Sequence, residues 1–243
     1  MRVAALYDVH GNLPALEAVL ADPRCADADL VVCGGDLVAG AMPAECLDRF
    51  LALGERVRFL RGNGDRETVE PPLEGALAEI GPWSAERLGA ERLSAVATWP
   101  LTHTLELPGL GETLFCHATP TDDARLITAI TPDADVEREL AGCRAGVVVC
   151  GHTHVQFDRE VGRHRLVNAG SVGMPYEGSP DARWALLGPD VELVSTAYDA
   201  GAALAQLAAT GYPLLDEWFG PVLRGEVSAE EATTIFEDRR RGT

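Results

Sequence analysis

Five short, mainly apolar runs punctuate the chain at Val3–Tyr7, Leu30–Cys33, Val57–Leu60, Thr113–Cys116 and Val147–Cys150. Each is too short for a stable helix, and each reads as a buried strand. Between the first three, the spacing turns helical. Leu13, Leu16, Val19 and Leu20 form an apolar stripe behind Asn12, a good N-cap, with Pro14 in the first turn. A second helix is expected over Pro43–Leu53. The order βαβαβ argues for a parallel sheet.

Residues 70–99 carry an Ala- and Leu-rich helical pattern that Gly81-Pro82 and Gly89 are expected to break. From His103 onward strands dominate, with further runs at His103–Leu107, Val155–Glu160, Arg165–Asn168, Trp184–Leu187 and Glu192–Ser195 and one helix near Ala134–Ala141. His103 alternates with Leu101 and Leu105 as a strand residue, and His164 falls in an expected hairpin turn. Beyond Asp199 the pattern is helical again, and Ser228 with Glu231 forms a capping box for the last helix. A C-terminal apolar set, including Leu207, Leu214, Trp218, Phe219, Val222 and Leu223, has near-helical spacing. Packing on the body of the fold is its simplest use; a dimer contact or a lid are the others. No repeat or low-complexity tract interrupts the chain. The expectation is one domain over 1–243, with 199–243 a helical extension packed on it.

With 243 residues and 47% hydrophobic content, the chain is long enough for one large domain or two small ones. A formal charge of −18 argues against a general grip on nucleic acid or on an anionic membrane. All 20 basic residues are arginine, which reads as a mark of GC-rich coding rather than of function. No apolar run approaches the roughly 20 residues that span a bilayer, and the first residues lack a leader pattern. The six cysteines show no C-x-x-C pairing; Cys33, Cys116 and Cys150 end strands and read as core thiols. The expected compartment is the cytoplasm, and a homo-oligomer is compatible with the chain.

The residues just beyond the five runs are chemically uniform. Asp8-x-His10 comes after the first, Gly34-Gly35-Asp36 after the second, Gly62-Asn63-Gly64-Asp65 after the third, His117 after the fourth and Gly151-His152-Thr153-His154 after the fifth. Four of the six histidines fall in these groups, which scattered structural histidines would not do. Strand ends that gather His, Asp and Asn at one sheet edge make a metal site. The seven candidate ligands are Asp8, His10, Asp36, Asn63, His117, His152 and His154. They are too many for one tetrahedral ion and suit two, with one carboxylate as a bridge. Asp36, alone after two glycines, is the natural bridge. Imidazole with carboxylate suits Mn, Fe, Ni, Zn or Co better than Ca or Mg. Two carboxylates against two divalent ions leave a local positive well that favours phosphate. A pair of ions about 3.5–4 Å apart serves in-line displacement at phosphorus. In isolation, Asn63 between two glycines reads as a left-handed turn residue. The five groups together make a purely structural account improbable.

These residues resemble the calcineurin-like metallophosphoesterase superfamily, in its small bacterial phosphodiesterase branch. The family pattern D-x-H, G-D, G-N-x-[D/E], H and G-H-x-H stands here at Asp8 to His10, Gly35-Asp36, Gly62 to Asp65, His117 and Gly151 to His154. Asn168–Gly173 resembles the N-P-G-S-V-G loop of that branch, with Ala169 where Pro is common. The resemblance implies an α/β fold: a four-layer αββα sandwich of two mixed sheets flanked by helices. It implies that Asp8, His10, Asp36 and His154 hold one ion, that Asp36, Asn63, His117 and His152 hold the other, and that a bridging hydroxide attacks phosphorus. Asp36, Asn63 and His117 are the expected catalytic residues; Asn12, Asn63 and Arg66 are the candidate substrate contacts.

One departure matters. Many members carry His after the Asn, where this chain has Gly64. Weak general-acid help and a preference for good leaving groups are expected, since Asp65 is ordinarily ionised near neutral pH. The expected function is a phosphodiesterase using two divalent transition ions, Mn²⁺ foremost, on a small phosphate ester. Phosphoprotein phosphatases and dinucleoside polyphosphate hydrolases are the alternative within the family, and they tend to use the His absent here. A non-catalytic scaffold is the remote alternative, because all seven ligands are present.

Overall fold

A computed structural model describes residues 1–242, all but the side chain of Leu77; the expected domain end at Thr243 lies outside them. The first sheet has the order β10-β9-β1-β2-β3, from Val191–Thr196 (β10), Ala182–Leu187 (β9), Val3–Leu6 (β1), Leu30–Cys33 (β2) and Val57–Phe59 (β3). The second has the order β4-β5-β6-β8-β7, from Thr102–Leu107 (β4), Gly111–Cys116 (β5), Val147–Cys150 (β6), His164–Asn168 (β8) and Phe157–Val161 (β7). β1, β2 and β3 pair in parallel, as the βαβαβ pattern predicts, and β9 runs antiparallel beside β1. β5, β6 and β8 are likewise parallel, with β4 and β7 antiparallel at the edges.

The two sheets stack face to face, which explains the lack of polar alternation in the runs. Val3 and Ala5 of β1, and Tyr7 just beyond it, point into the layer between the sheets with Val147, Val149 and Val167. Ala4 and Leu6 point the other way, onto the helices. In β6, Val148 and Cys150 face outward against Val136 and Leu140 of the helix Asp133–Glu139 and its C-cap. The central strands β1, β2 and β6 are therefore buried on both faces. Helix, sheet, sheet and helix make the four-layer αββα sandwich.

The helices, in chain order, are α1 (Leu13–Ala21), α2 (Pro23–Ala26), α3 (Pro43–Leu51), α4 (Asn63–Val69), α5 (Ala76–Val96), α6 (Asp133–Glu139, above), α7 (Ala200–Ala209), α8 (Gly220–Leu223) and α9 (Ala229–Gly242). Asn12 caps α1 by accepting from Ala15 N at 3.2 Å. The expected break at Gly81-Pro82 does not occur: α5 runs through Pro82 and kinks at Gly89. A Cβ at position 81 would lie 2.7 Å from the Glu67 carbonyl, so glycine lets α5 lie close on α4, and that packing outweighs the lost hydrogen bond. His164 opens β8 rather than sitting in the turn; it is buried, with Nδ1 on the Ala145 carbonyl at 2.9 Å. The C-terminal apolar set packs with Ala41, Ile80 and Met174 through Leu207, Tyr212, Phe219, Val222 and Leu223. All six cysteines are buried free thiols. Among the described residues no helix is long and apolar enough to cross a membrane.

Candidate metal centre

The carboxyl ends of β1, β2, β3, β5 and β6 converge on one edge of the sandwich, where open α/β sheets place their sites. The loops after β1 and β2 are laced together by backbone. Asp8 N donates to Gly35 O at 3.1 Å, His10 N to Asp36 O at 2.9 Å and Gly11 N to Leu37 O at 3.0 Å. Gly151 packs so tightly that a Cβ on it would lie 2.4 Å from Asp8 Oδ2.

The side chains form two triads, Asp8/His10/His154 and Asp36/His117/His152, with the ligand atoms of each within 4.8 Å of one another. They adjoin: His117 Nε2 lies 3.5 Å from Asp36 Oδ2 and 3.8 Å from Asp8 Oδ1, and His10 Nε2 lies 3.8 Å from Asp36 Oδ2. Asn63 lines the same cavity. All seven residues predicted as ligands are thus brought together.

Backbone partners fix how the side chains point. Nδ1 of His10, His117 and His154 faces the carbonyls of Ala39, Gly34 and Met174 at 3.0, 3.0 and 2.8 Å, leaving Nε2 toward the centre. His152 is turned over: Nε2 faces the Ala124 carbonyl at 3.1 Å, which leaves Nδ1. Asp8 Oδ2 accepts from His152 N at 2.8 Å and Asp36 Oδ1 from Gly64 N at 2.7 Å, so each carboxylate keeps one oxygen inward. Asp8 Oδ1, Asn63 Oδ1 and His117 Nε2 are buried without a hydrogen-bond partner. Buried polar atoms seldom go unmatched, and these three point to where cations fit.

Backbone strain is concentrated on the same residues. Asp8, His10, Asp36, His152 and His154 have φ of 53°, 47°, 51°, 65° and 56°, and among the described residues no other non-glycine residue has positive φ. This region costs an L-residue about 1 kcal/mol or more. Asn63 is instead the first residue of α4, behind Gly62 as N-cap; its expected left-handed turn passes to the ligands around it.

Charge matches the geometry. Burial alone would raise the Asp8 carboxyl, but His154 and His117 hold it below its usual range. Asp36 is likewise held below its usual range: burial opposes, and His117 and His10 outweigh it. Burial pushes His152 down to about 4, with His117 adding to the effect. For His117 burial also lowers, but Asp36 and Asp8 prevail and raise it to about 10. Without metal the Asp36–His117 pair is therefore an ion pair. Its contribution to the metal-free fold is fully present below pH 6.5, the ordinary histidine value, and is lost as pH rises through about 10. Metal uptake must displace that proton. Affinity should therefore rise about tenfold per pH unit across this window. Calorimetry at pH 7.5 in two buffers of different ionisation enthalpy should show about one proton released per protein; no release would contradict the assignment.

Two of the candidate substrate contacts are corrected. Asn12 is fully buried: its amide donates to the Gly173 carbonyl at 2.9 Å and to Tyr198 Oη at 3.2 Å, while its oxygen caps α1. No polar atom is left for a substrate. Arg66 is turned to Asp123 at 3.0 Å and to Glu67 at 3.1 Å, so its charge is met within the protein. Asn63 alone of the three faces the cavity.

Asp65 has a role its position in the motif did not reveal. Its oxygens accept from four backbone amides, Asp36 N, Leu37 N, Val38 N and Gly62 N, at 2.8, 2.9, 3.0 and 3.0 Å. Burial, with Asp36 adding to it, pushes this carboxyl up to about 7, against the pull of the amides. It fastens the Asp36 loop to the Asn63 loop and is buried away from the cavity. Gly64 is also explained: a Cβ there would lie 2.8 Å from Ala39 Cβ and 3.0 Å from Asp36 Oδ1. The Asn168–Gly173 loop braces the site from behind. Asn168 Nδ2 donates to Gly151 O at 2.6 Å, and Ser171 Oγ donates to Asp8 O at 2.7 Å.

A strand-edge centre of two acidic and imidazole triads, on a four-layer sandwich, defines a metal-dependent phosphoesterase. The model of the calcineurin-like phosphoesterase superfamily domain matches residues 1–188, and the chain belongs to that superfamily. It is 27% identical over 222 residues to the phosphodiesterase YfcE of Escherichia coli strain K12, covering 86% of this chain and 98% of that one. It is also 27% identical over 243 residues to the uncharacterized protein MJ0912 of Methanocaldococcus jannaschii, covering 90% and 95%. A metallophosphoesterase crystal structure from Sphaerobacter thermophilus shares the fold with a TM-score of 0.72 at 24% identity, over 90% of this chain and 98% of that one.

Proposed function

We propose that the protein is a cytoplasmic phosphodiesterase that works with two Mn²⁺ ions on a small phosphate ester. The observation that carries this reading is the pair of adjoining triads with their inward, unpartnered atoms. Similarity to a relative named as a phosphodiesterase supports the choice of diester. The six buried free thiols fit a reducing compartment. By this reading Asp8, His10, Asp36 and His154 hold one ion, and Asp36, Asn63, His117 and His152 the other. When bound, such ions supply Lewis-acid activation of water and offset charge on the phosphoryl oxygens.

The chain's own groups do the rest. Asp8 and Asp36 stay ionised, and the backbone carbonyls hold the histidine rings in one orientation. Asn63 faces the cavity beside both triads. After Asn63 the chain offers no acid to the leaving group. Gly64 has no side chain, and Asp65 is turned into the backbone, both its oxygens taken by amide donors. The leaving group therefore departs unprotonated, and its own acidity should set the rate. A series of diesters with aryl and alkyl leaving groups tests this, beside the matching monoesters. A steep fall in kcat/KM from p-nitrophenyl to alkyl esters, with diesters ahead of monoesters, is expected. Equal rates for aryl and alkyl esters would overturn the missing-acid account, and exclusive turnover of monoesters the phosphodiesterase reading.

A further inference from the structure

The cavity over the metal centre has a volume of about 540 Å³, within the range of small-molecule sites, roughly 300–1,000 Å³. Its floor is the ligand set. Its opposite wall comes from the C-terminal part of the chain: Trp218, Ile235, Phe236 and Arg239 line it, with Tyr176 between wall and floor. The rings are layered outward from a ligand. His154 stacks on Tyr176 with centroids 4.6 Å apart at 26°, and Tyr176 lies against Phe236 at 6.1 Å and 29°.

This wall is fastened in place. Ala232, Ile235, Phe236 and Arg239 recur at helical spacing on one face of α9 and all line the cavity. The neighbouring face is locked to the sandwich by Glu237, only 2% exposed, which accepts from the hydroxyls of Thr128, at 2.8 Å, and of Thr131. Arg240 adds bonds to Glu237 and to Asp135 of α6 at 2.9 Å each. Burying a carboxylate in this way is costly unless it is fully bonded; here it sets the angle at which α9 presents its apolar face. Ile235 nevertheless remains 51% exposed, an apolar side chain left open at a cavity mouth. Arg239 forms no ion pair among the described residues and lines the same cavity, whose wall also carries Glu217.

We propose that this wall is a specificity pocket for an aromatic substituent carried on the phosphate, with Arg239 attracting the anionic phosphate itself. Near-parallel rings favour a flat ring beside them. The pocket deepens the proposed phosphodiesterase function by naming the substrate class, an aryl or heteroaryl phosphate ester, and rests on the phosphate occupying the metal centre.

The test uses phenylphosphonate and methylphosphonate, which cannot be hydrolysed and differ only in the ring, with binding to the Mn²⁺-loaded full chain measured by calorimetry. Wild-type protein should bind phenylphosphonate about 10-fold more tightly. Phe236→Ala should bring the ratio close to one while leaving methylphosphonate affinity unchanged, and Arg239→Gln should weaken both ligands alike. Trp218→Ala, on a separate turn, carries the same test if Phe236→Ala does not fold. Equal binding of the two phosphonates by wild type would overturn the proposal, as would tighter binding of hexylphosphonate, which would make the pocket an alkyl site. Turnover of a chromogenic diester is scored separately, so loss of the phosphodiesterase reading and loss of the aromatic pocket give different results.

Discussion

Replacing Asp36 by asparagine is expected to lower kcat/KM for a phosphodiester on the order of 10³-fold or more and to leave at most one tightly held metal ion. Asp36 Oδ2 is the carboxylate oxygen that faces both triads, 3.8 Å from His10 Nε2 and 3.5 Å from His117 Nε2. Asparagine keeps the volume and leaves an oxygen for Gly64 N, so the fold should survive and the loss should report charge. His117 would lose the partner that raises its basicity and return toward neutrality when free of metal. Metal analysis after gel filtration, beside steady-state kinetics, checks both parts. A variant that retains two ions and more than about a tenth of the activity would show that Asp36 is not the shared ligand.

Asp65→Ala should unfold the site although Asp65 is not itself a candidate ligand. Four buried amides would lose their acceptor, each at about 1–3 kcal/mol if water cannot replace it. Allowing for partial rescue, the loss should be about 3–5 kcal/mol, large against a typical total of 5–15 kcal/mol. For a chain of this size that corresponds to a fall of roughly 10 °C in Tm. Activity should disappear as well, because the freed loop carries Asp36. Thermal melting with and without Mn²⁺ checks it. A variant with wild-type Tm and metal content would mean that the amides find other partners and that Asp65 is dispensable.

The strands and the candidate ligands stand out in the sequence for one physical reason. A strand buried on both faces must be apolar throughout, so the polar residue that ends it stands out. Asp8, Asp36, His117 and His152 each follow such a strand directly or within three residues. The left-handed backbone of five candidate ligands was not legible, because Asp and His are mostly found at negative φ and only the packed loops hold them at positive φ. Arg66 was misassigned because its partner, Asp123, lies 57 residues away and adjoins it only in the folded chain. Asn12 was visible as a helix cap, but its amide partners, Gly173 and Tyr198, belong to distant segments. The role of α9 was hidden for a similar reason. Its apolar residues and its arginines look like an ordinary amphipathic surface helix, and only the Glu237 anchor, buried under Thr128 and Thr131, shows which face turns to the cavity. The terminal arginines differ accordingly: Arg239 lines the site and Arg240 is an anchor.

In this reading the seven residues hold two ions, and ester cleavage needs both. Titrating Mn²⁺ into metal-stripped protein, with binding followed by calorimetry and hydrolysis of bis-p-nitrophenyl phosphate followed in parallel, tests it most directly. Two equivalents should bind, activity should reach its plateau only with the second, and Asp36→Ala should lose turnover together with the second equivalent. A single equivalent at full activity, or undiminished turnover in excess chelator, would contradict it.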